Sequence, residues 1–216
     1  MSAKANIGTL EDFIKRRPEM AHLDPMNQID FSLSDINQNE LKVLKEYFTG
    51  ICVDLTLYMQ LFSDKNSVDE LNKFNGFVFH HIEQAYLQKI CLKVATLMDP
   101  PASCGKQNLS LRRFIKQTKS EKLNEAYLQL DKFYTGSGIK EWRNKVLAHA
   151  DLETLSGNYN IDLKFTREEV DDFVAEIQEF IDLVSDPRVA TDHRIVFPKE
   201  NDGYMFVEKI RQSNES

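Results

Sequence analysis

Cysteine, proline and glycine are scarce in this sequence, with 3 Cys, 6 Pro and 8 Gly among 216 residues. The cysteines, Cys52, Cys91 and Cys104, are odd in number and widely spaced, with no CxxC pair. They fit a reducing cytoplasm and no disulfide framework. So few turn-formers argue for long helices and against a turn-rich β-sandwich. No run reaches the ~18 apolar residues a membrane-crossing helix needs. The first residues, MSAKANIGTLEDF, lack the apolar core of a secretory signal. There is no GxSxG, P-loop or GxGxxG motif. No internal repeat is visible, which sets aside a solenoid. An excess of positive charge is also missing: 27 basic residues face 34 acidic ones, a net charge of −7. That excludes a generic basic nucleic-acid coat but leaves room for a local basic site.

What is present is an ordinary globular composition, 42% hydrophobic and 28% charged. A chain of this size buries ~70% of its unfolded surface, so its core needs no metal or disulfide staple. Apolar residues recur at helical spacing. Leu41, Leu44, Phe48, Ile51, Leu55, Tyr58 and Phe62 predict a helix over 39–63, and Leu71 to Leu97 a second over 68–98. Ser67 with Glu70 reads as the capping box of that second helix, and Asp99-Pro100-Pro101 as its stop. Further helices are expected over 109–118, 121–134, 139–149 and 167–185, the last opened by a Thr166/Glu169 capping box. RIVF and YMFVEKI in the tail predict a β-hairpin. The expected fold is all-α, an antiparallel bundle of about five main helices. The expected organisation is an appendage over 1–38, the bundle over 39–186 and an extension with the hairpin over 187–216.

Charge is unevenly spread. Between Gly105 and Lys122, Lys106, Arg112, Arg113, Lys116, Lys119 and Lys122 face only Glu121, a local balance of +5. Two readings fit: a phosphate-binding face, or a solvated helix surface. From Asp151 to Asp186 eleven acids face Lys164 and Arg167, a balance of −9, which reads as a solvated face or a complement to a basic partner. His80-His81 with Glu83 hints at a metal site, but adjacent histidines diverge by about 100° on a helix and no second acid-rich helix offers matched ligands, so no metal or other cofactor is expected.

The segment Trp142-Arg143-Asn144-Lys145-Val146-Leu147-Ala148-His149 places an Arg, a polar residue and a His in short order. The spacing alone is weak evidence, since Arg16 and Arg17 stand at similar distances from His22, and Arg188 from His193. The context distinguishes Arg143. Asn144 follows it directly, it falls on a late helix, and upstream stand Asp99-Pro100, Gly105-Lys106 and Asn108-Leu109-Ser110-Leu111. Over roughly 40–185 this arrangement resembles the abortive-infection U-type branch of the HEPN superfamily, small helical domains many of which are metal-independent ribonucleases.

The resemblance implies that His149 does proton work, that Arg143 holds the phosphate and that Asn144 orients either His149 or the phosphate. RNA would supply its own 2′-OH nucleophile and leave a 2′,3′-cyclic phosphate. It also implies a homodimer that builds one cleft from two motifs, an antitoxin as a possible protein partner, and a toxin or phage-defence role. Lys106, Arg112, Arg113, Lys116 and Lys119 are the expected RNA contacts. Arg143 and His149 are six apart and diverge by ~120° on a regular helix. A helix-end His149 beside Asp151, and an Arg143 paired with Glu141 or Asp151, are the plain alternatives. A non-catalytic dimer module binding RNA, nucleotide or protein is the alternative function.

Overall fold

The computed structural model describes residues 29–147, 163–185 and 202–215. After a 3-10 turn at Leu33–Asp35 come α1 (Gln38–Phe62), α2 (Lys65–Met98), β1 (Ala102–Ser103), β2 (Lys106–Gln107), α3 (Leu111–Thr118), α4 (Glu121–Gly136), α5 (Ile139–Trp142), a π-helical turn (Arg143–Leu147), α6 (Arg167–Leu183) and α7 (Asp202–Asn214). The all-α expectation holds. No described helix is long and apolar enough to cross a membrane.

Side-chain caps set the helix starts. Asn37 Oδ1 accepts from the backbone N–H groups of Asn39 and Glu40 at 3.1 and 3.2 Å and opens α1. Asp64 Oδ2 accepts from Ser67 N at 3.0 Å and opens α2 three residues ahead of the expected start, so Ser67 is a buried first-turn residue and not the cap. Ser120 caps α4 through Leu123 N at 3.0 Å. The Thr166/Glu169 capping box is formed as expected.

Helix α2 carries a break. Asn75 has φ −165° and ψ 86°, and its Oδ1 accepts from Val78 N at 3.1 Å, so the helix stops and is capped afresh. The break shifts the phase of the apolar stripe. After the break Val78, expected inside, is 44% exposed and its neighbour Phe79 is buried instead; Phe74, also expected inside, stands just before the break and is 53% exposed.

The expected C-terminal hairpin is corrected. Tyr204–Ile210 lies within α7, and RIVF falls outside the described residues. YMFVEKI has Val207 and Ile210 on one buried side, three apart, which is helical spacing that the aromatic and β-branched content masked. The one hairpin among the described residues pairs Ala102 with Gln107 and Ser103 with Lys106. Cys104 (φ 48°) and Gly105 (φ 76°) form its turn, both with the positive φ of a two-residue type I′ connection.

The chain divides into two compact units. One comprises residues up to Lys45 and Ala95–Asp192, the other Glu46–Val94 and the chain from His193 onward. In the first, Leu123, Tyr127, Leu130 and Tyr134 form the buried side of α4, and α6 contributes Phe173, Ile177, Phe180 and Ile181. Phe133 stacks on Phe173 with ring centroids 4.5 Å apart. In the second, Val207 and Ile210 of α7 pack with Leu61, Leu71 and Phe79. Asp54 is buried there and takes Lys89 Nζ at 2.8 Å and Lys93 Nζ at 2.6 Å. Gln60 Oε1 accepts from Gly203 N at 2.8 Å, and a Cβ on Gly203 would lie 2.6 Å from Gln60 Cβ.

Candidate functional site

Gly138, at φ 83°, makes the left-handed step that lets α5 start directly after α4, and buried Ile139 anchors it. Backbone then passes into the π-helical turn at Arg143–Leu147. Such turns are rare and concentrate at functional sites. The turn also removes the regular-helix geometry on which the ~120° divergence of Arg143 and His149 rests. His149 itself, with Asp151, lies outside the described residues.

Arg143 reaches the end of α2. Its Nη2 donates to Asp99, 3.2 Å from Oδ1 and 3.4 Å from Oδ2, and its Nη1 donates to Asn144 Oδ1 at 3.0 Å. Glu141 instead pairs with Lys145 at 3.4 Å, so the Arg143–Glu141 pair is not formed. The sequence presented Asp99 only as a helix stop and part of a resemblance. An Asp that ends a long helix just ahead of proline is a carboxylate held on fixed backbone, and that was the available signal.

Tyr134 lies close enough to feel both charges. Burial pushes its phenol up to about 12, Arg143 pulls it down and Asp99 pushes it up. Its phenol is therefore neutral at physiological pH and not a base.

The basic segment divides by partner. Arg113 makes a two-nitrogen fork on Glu40, with Nε 2.6 Å from Oε2 and Nη2 on Oε1, and Nη1 on Gln107. The Arg113 hydrogen bonds hold the Glu40 carboxyl below its ordinary range. Lys106, Arg112, Lys116 and Lys119 are exposed and take no ion pair with another described residue. Arg112 and Lys116 are one turn apart on α3, ~6 Å along its axis. Lys119 follows at the left-handed C-cap.

Arg112 connects this row to Arg143. Its guanidinium sits 4.7 Å from the centroid of the Tyr127 ring. The Tyr127 hydroxyl lies 3.3 Å from the Met98 carbonyl oxygen and 3.4 Å from Asp131 Oδ1. Met98 immediately precedes Asp99, so α3, α4, the end of α2 and the π-turn converge within one unit.

Among the described residues no group of three or more His, Cys, Asp or Glu is placed to hold a metal ion. His81 Nδ1 lies 2.9 Å from the Phe77 carbonyl oxygen, and both His80 and His81 are exposed. Burial pushes the Cys52 thiol up to about 11 and Cys91 to about 12, as packing residues would be, while Cys104 is exposed.

Compared with known families, residues 38–186 match the HEPN-type family model described as AbiU2. No curated protein and no solved structure matches the chain.

Proposed function

Since this chain belongs to the AbiU2 family of HEPN proteins, which is related to abortive infection, we propose that it is a metal-independent endoribonuclease acting as a toxin or phage-defence effector. The observation that carries this reading is the placement of Arg143. It stands on a π-turn, held by Asp99 and Asn144, in the unit that also presents the exposed basic row Arg112, Lys116 and Lys119, which forms no ion pair with another described residue.

In the proposed reaction RNA binds with its backbone along that row. The 2′-OH loses its proton to a His149 imidazole as its oxygen attacks the adjacent phosphorus. Arg143 stabilises the charge that builds on the non-bridging oxygens, where a planar guanidinium fits phosphate well. The bond to O5′ breaks, and that oxygen takes a proton from an imidazolium, which a second copy of His149 in a homodimer would supply. The products are a 2′,3′-cyclic phosphate and a 5′-OH end. An antitoxin would act by covering this site.

A second reading is a non-catalytic dimer module that binds RNA, a nucleotide or a protein. The net charge of −7 favours it, because such a protein repels long RNA everywhere except at a local patch.

The test is incubation of the purified full chain with total RNA in EDTA, beside His149→Ala and Arg143→Ala. Wild-type cleavage that leaves cyclic-phosphate ends, lost in both variants, is the expected result. No cleavage favours the binding module, and equal cleavage by all three proteins overturns His149 and Arg143 as the catalytic residues.

A further inference from the structure

We infer that Asp99 is a positioning residue of this site, setting the guanidinium of Arg143 so that its Nε edge faces an incoming phosphate. The inference rests on the ribonuclease reading above.

Two arginine–carboxylate pairs in the same unit make the contrast. Arg113 meets Glu40 side-on through Nε and Nη2, the two-nitrogen fork that engages the Nε edge of the guanidinium. Arg143 meets Asp99 through Nη2 alone, at 3.2 and 3.4 Å, and gives Nη1 to Asn144. Its Nε–H bonds no described acceptor. Fixed at its two outer nitrogens and 31% exposed, Arg143 keeps its Nε–H unengaged by any described residue, in a planar group whose orientation is set.

Asp99 is suited to the task because its backbone is locked on both sides. Before it, Met98 is 4% exposed and its carbonyl takes the Tyr127 hydroxyl. After it, Pro100 has a restricted φ. The Pro100 carbonyl accepts from Asn108 Nδ2 at 2.9 Å, and the Pro101 carbonyl accepts from Asn108 N at 2.9 Å. Asn108 thus ties the hairpin back to the end of α2, and the carboxylate inherits that rigidity. A positioned group gains its effect by removing the search for geometry, so losing the position costs rate more than binding.

The test compares wild-type full chain with Asp99→Asn and Asp99→Ala, using an RNA oligonucleotide for turnover and its 2′-O-methyl counterpart for binding. Asp99→Asn keeps the shape and removes the charge. Thermal midpoints show that each variant is folded, and Asp99→Asn serves if Asp99→Ala is not. The expected result is a ~10- to 100-fold fall in kcat with KM and the affinity for the 2′-O-methyl RNA changed less than about threefold. Unchanged kcat, a loss confined to KM, or faster cleavage would overturn the positioning role while leaving the ribonuclease reading intact. Faster cleavage would make Asp99 a competitor for Arg143. No cleavage by wild type overturns the ribonuclease reading, and this role with it.

Discussion

Arg113 and Glu40, 73 residues apart, form a two-nitrogen fork between α3 and the start of α1, with Nε 2.6 Å from Oε2. Its neighbour Arg112 points away from that fork and lies over Tyr127. The two adjacent arginines therefore answer different experiments. Arg113→Ala should lower stability by about 1–2 kcal/mol, since the pair is only 22% and 25% exposed, and leave the salt dependence of RNA binding nearly unchanged. Arg112→Ala, Lys116→Ala and Lys119→Ala should each weaken RNA binding and reduce its salt slope by ~1. Denaturant melts and RNA titrations at several salt concentrations separate the two sets.

The same fork gives acid sensitivity of definite sign. The Arg113 hydrogen bonds depress the Glu40 carboxyl, so the pair's contribution is fully present above the ordinary glutamate value of about 4.3 and is lost as pH falls through the lower folded value. Unfolding free energies measured from pH 7 down to pH 3 should fall further for wild type than for Glu40→Gln. Parallel curves would show that Glu40 does not carry this dependence.

Asp54 is the buried counter-ion of two lysines, its side chain 7% exposed. Asp54→Ala leaves the Lys93 ammonium, 22% exposed, with only the Gly50 carbonyl oxygen, at 3.0 Å, among the described residues. The expected loss is about 3 kcal/mol. Lys89→Ala removes a group that is 55% exposed and should cost less than ~1 kcal/mol. Equal effects in thermal unfolding would show that burial does not separate the two ion pairs.

The cysteines should react unequally. With Cys52 raised to about 11 and Cys91 to about 12 by burial, neither forms appreciable thiolate at pH 8, whereas Cys104 is exposed. A thiol-counting reagent should label one site quickly and two only on unfolding, and Cys104→Ser should remove the fast phase. Cys104→Asn should stabilise the hairpin by a few tenths of a kcal/mol, because asparagine tolerates the left-handed conformation imposed at φ 48°.

The helices were readable because period-3.6 burial and caps are local. The stripe on α4 and the Thr166 capping box are where the spacing puts them. Two features were not readable, for different reasons. Asn75 carries both a helix-compatible sequence position and a capping side chain, and only backbone angles reveal that capping won, turning Val78 outward and Phe79 inward. In α7, strand propensity of YMFVEKI competed with tertiary packing of Val207 and Ile210 on Leu61, Leu71 and Phe79, and the packing decided. The same division holds at the site. Arg143 and Asn144 are adjacent in the chain and visible as a motif. Asp99 meets Arg143 across 44 residues, and Arg113 is taken by Glu40 across 73, which no local pattern encodes.

The contact of Gly203 with Gln60 spans 143 residues. On a ribosome adding about 5–20 residues per second, Gln60 waits ~7–30 s before its partner is even synthesised. Through that interval the apolar surface of Leu61, Leu71 and Phe79, which α7 later covers, is held by an unfinished chain. The growing polypeptide thus completes its first unit's helices before it can close its second. The time for which that surface stays uncovered is set by translation speed as well as by folding rate.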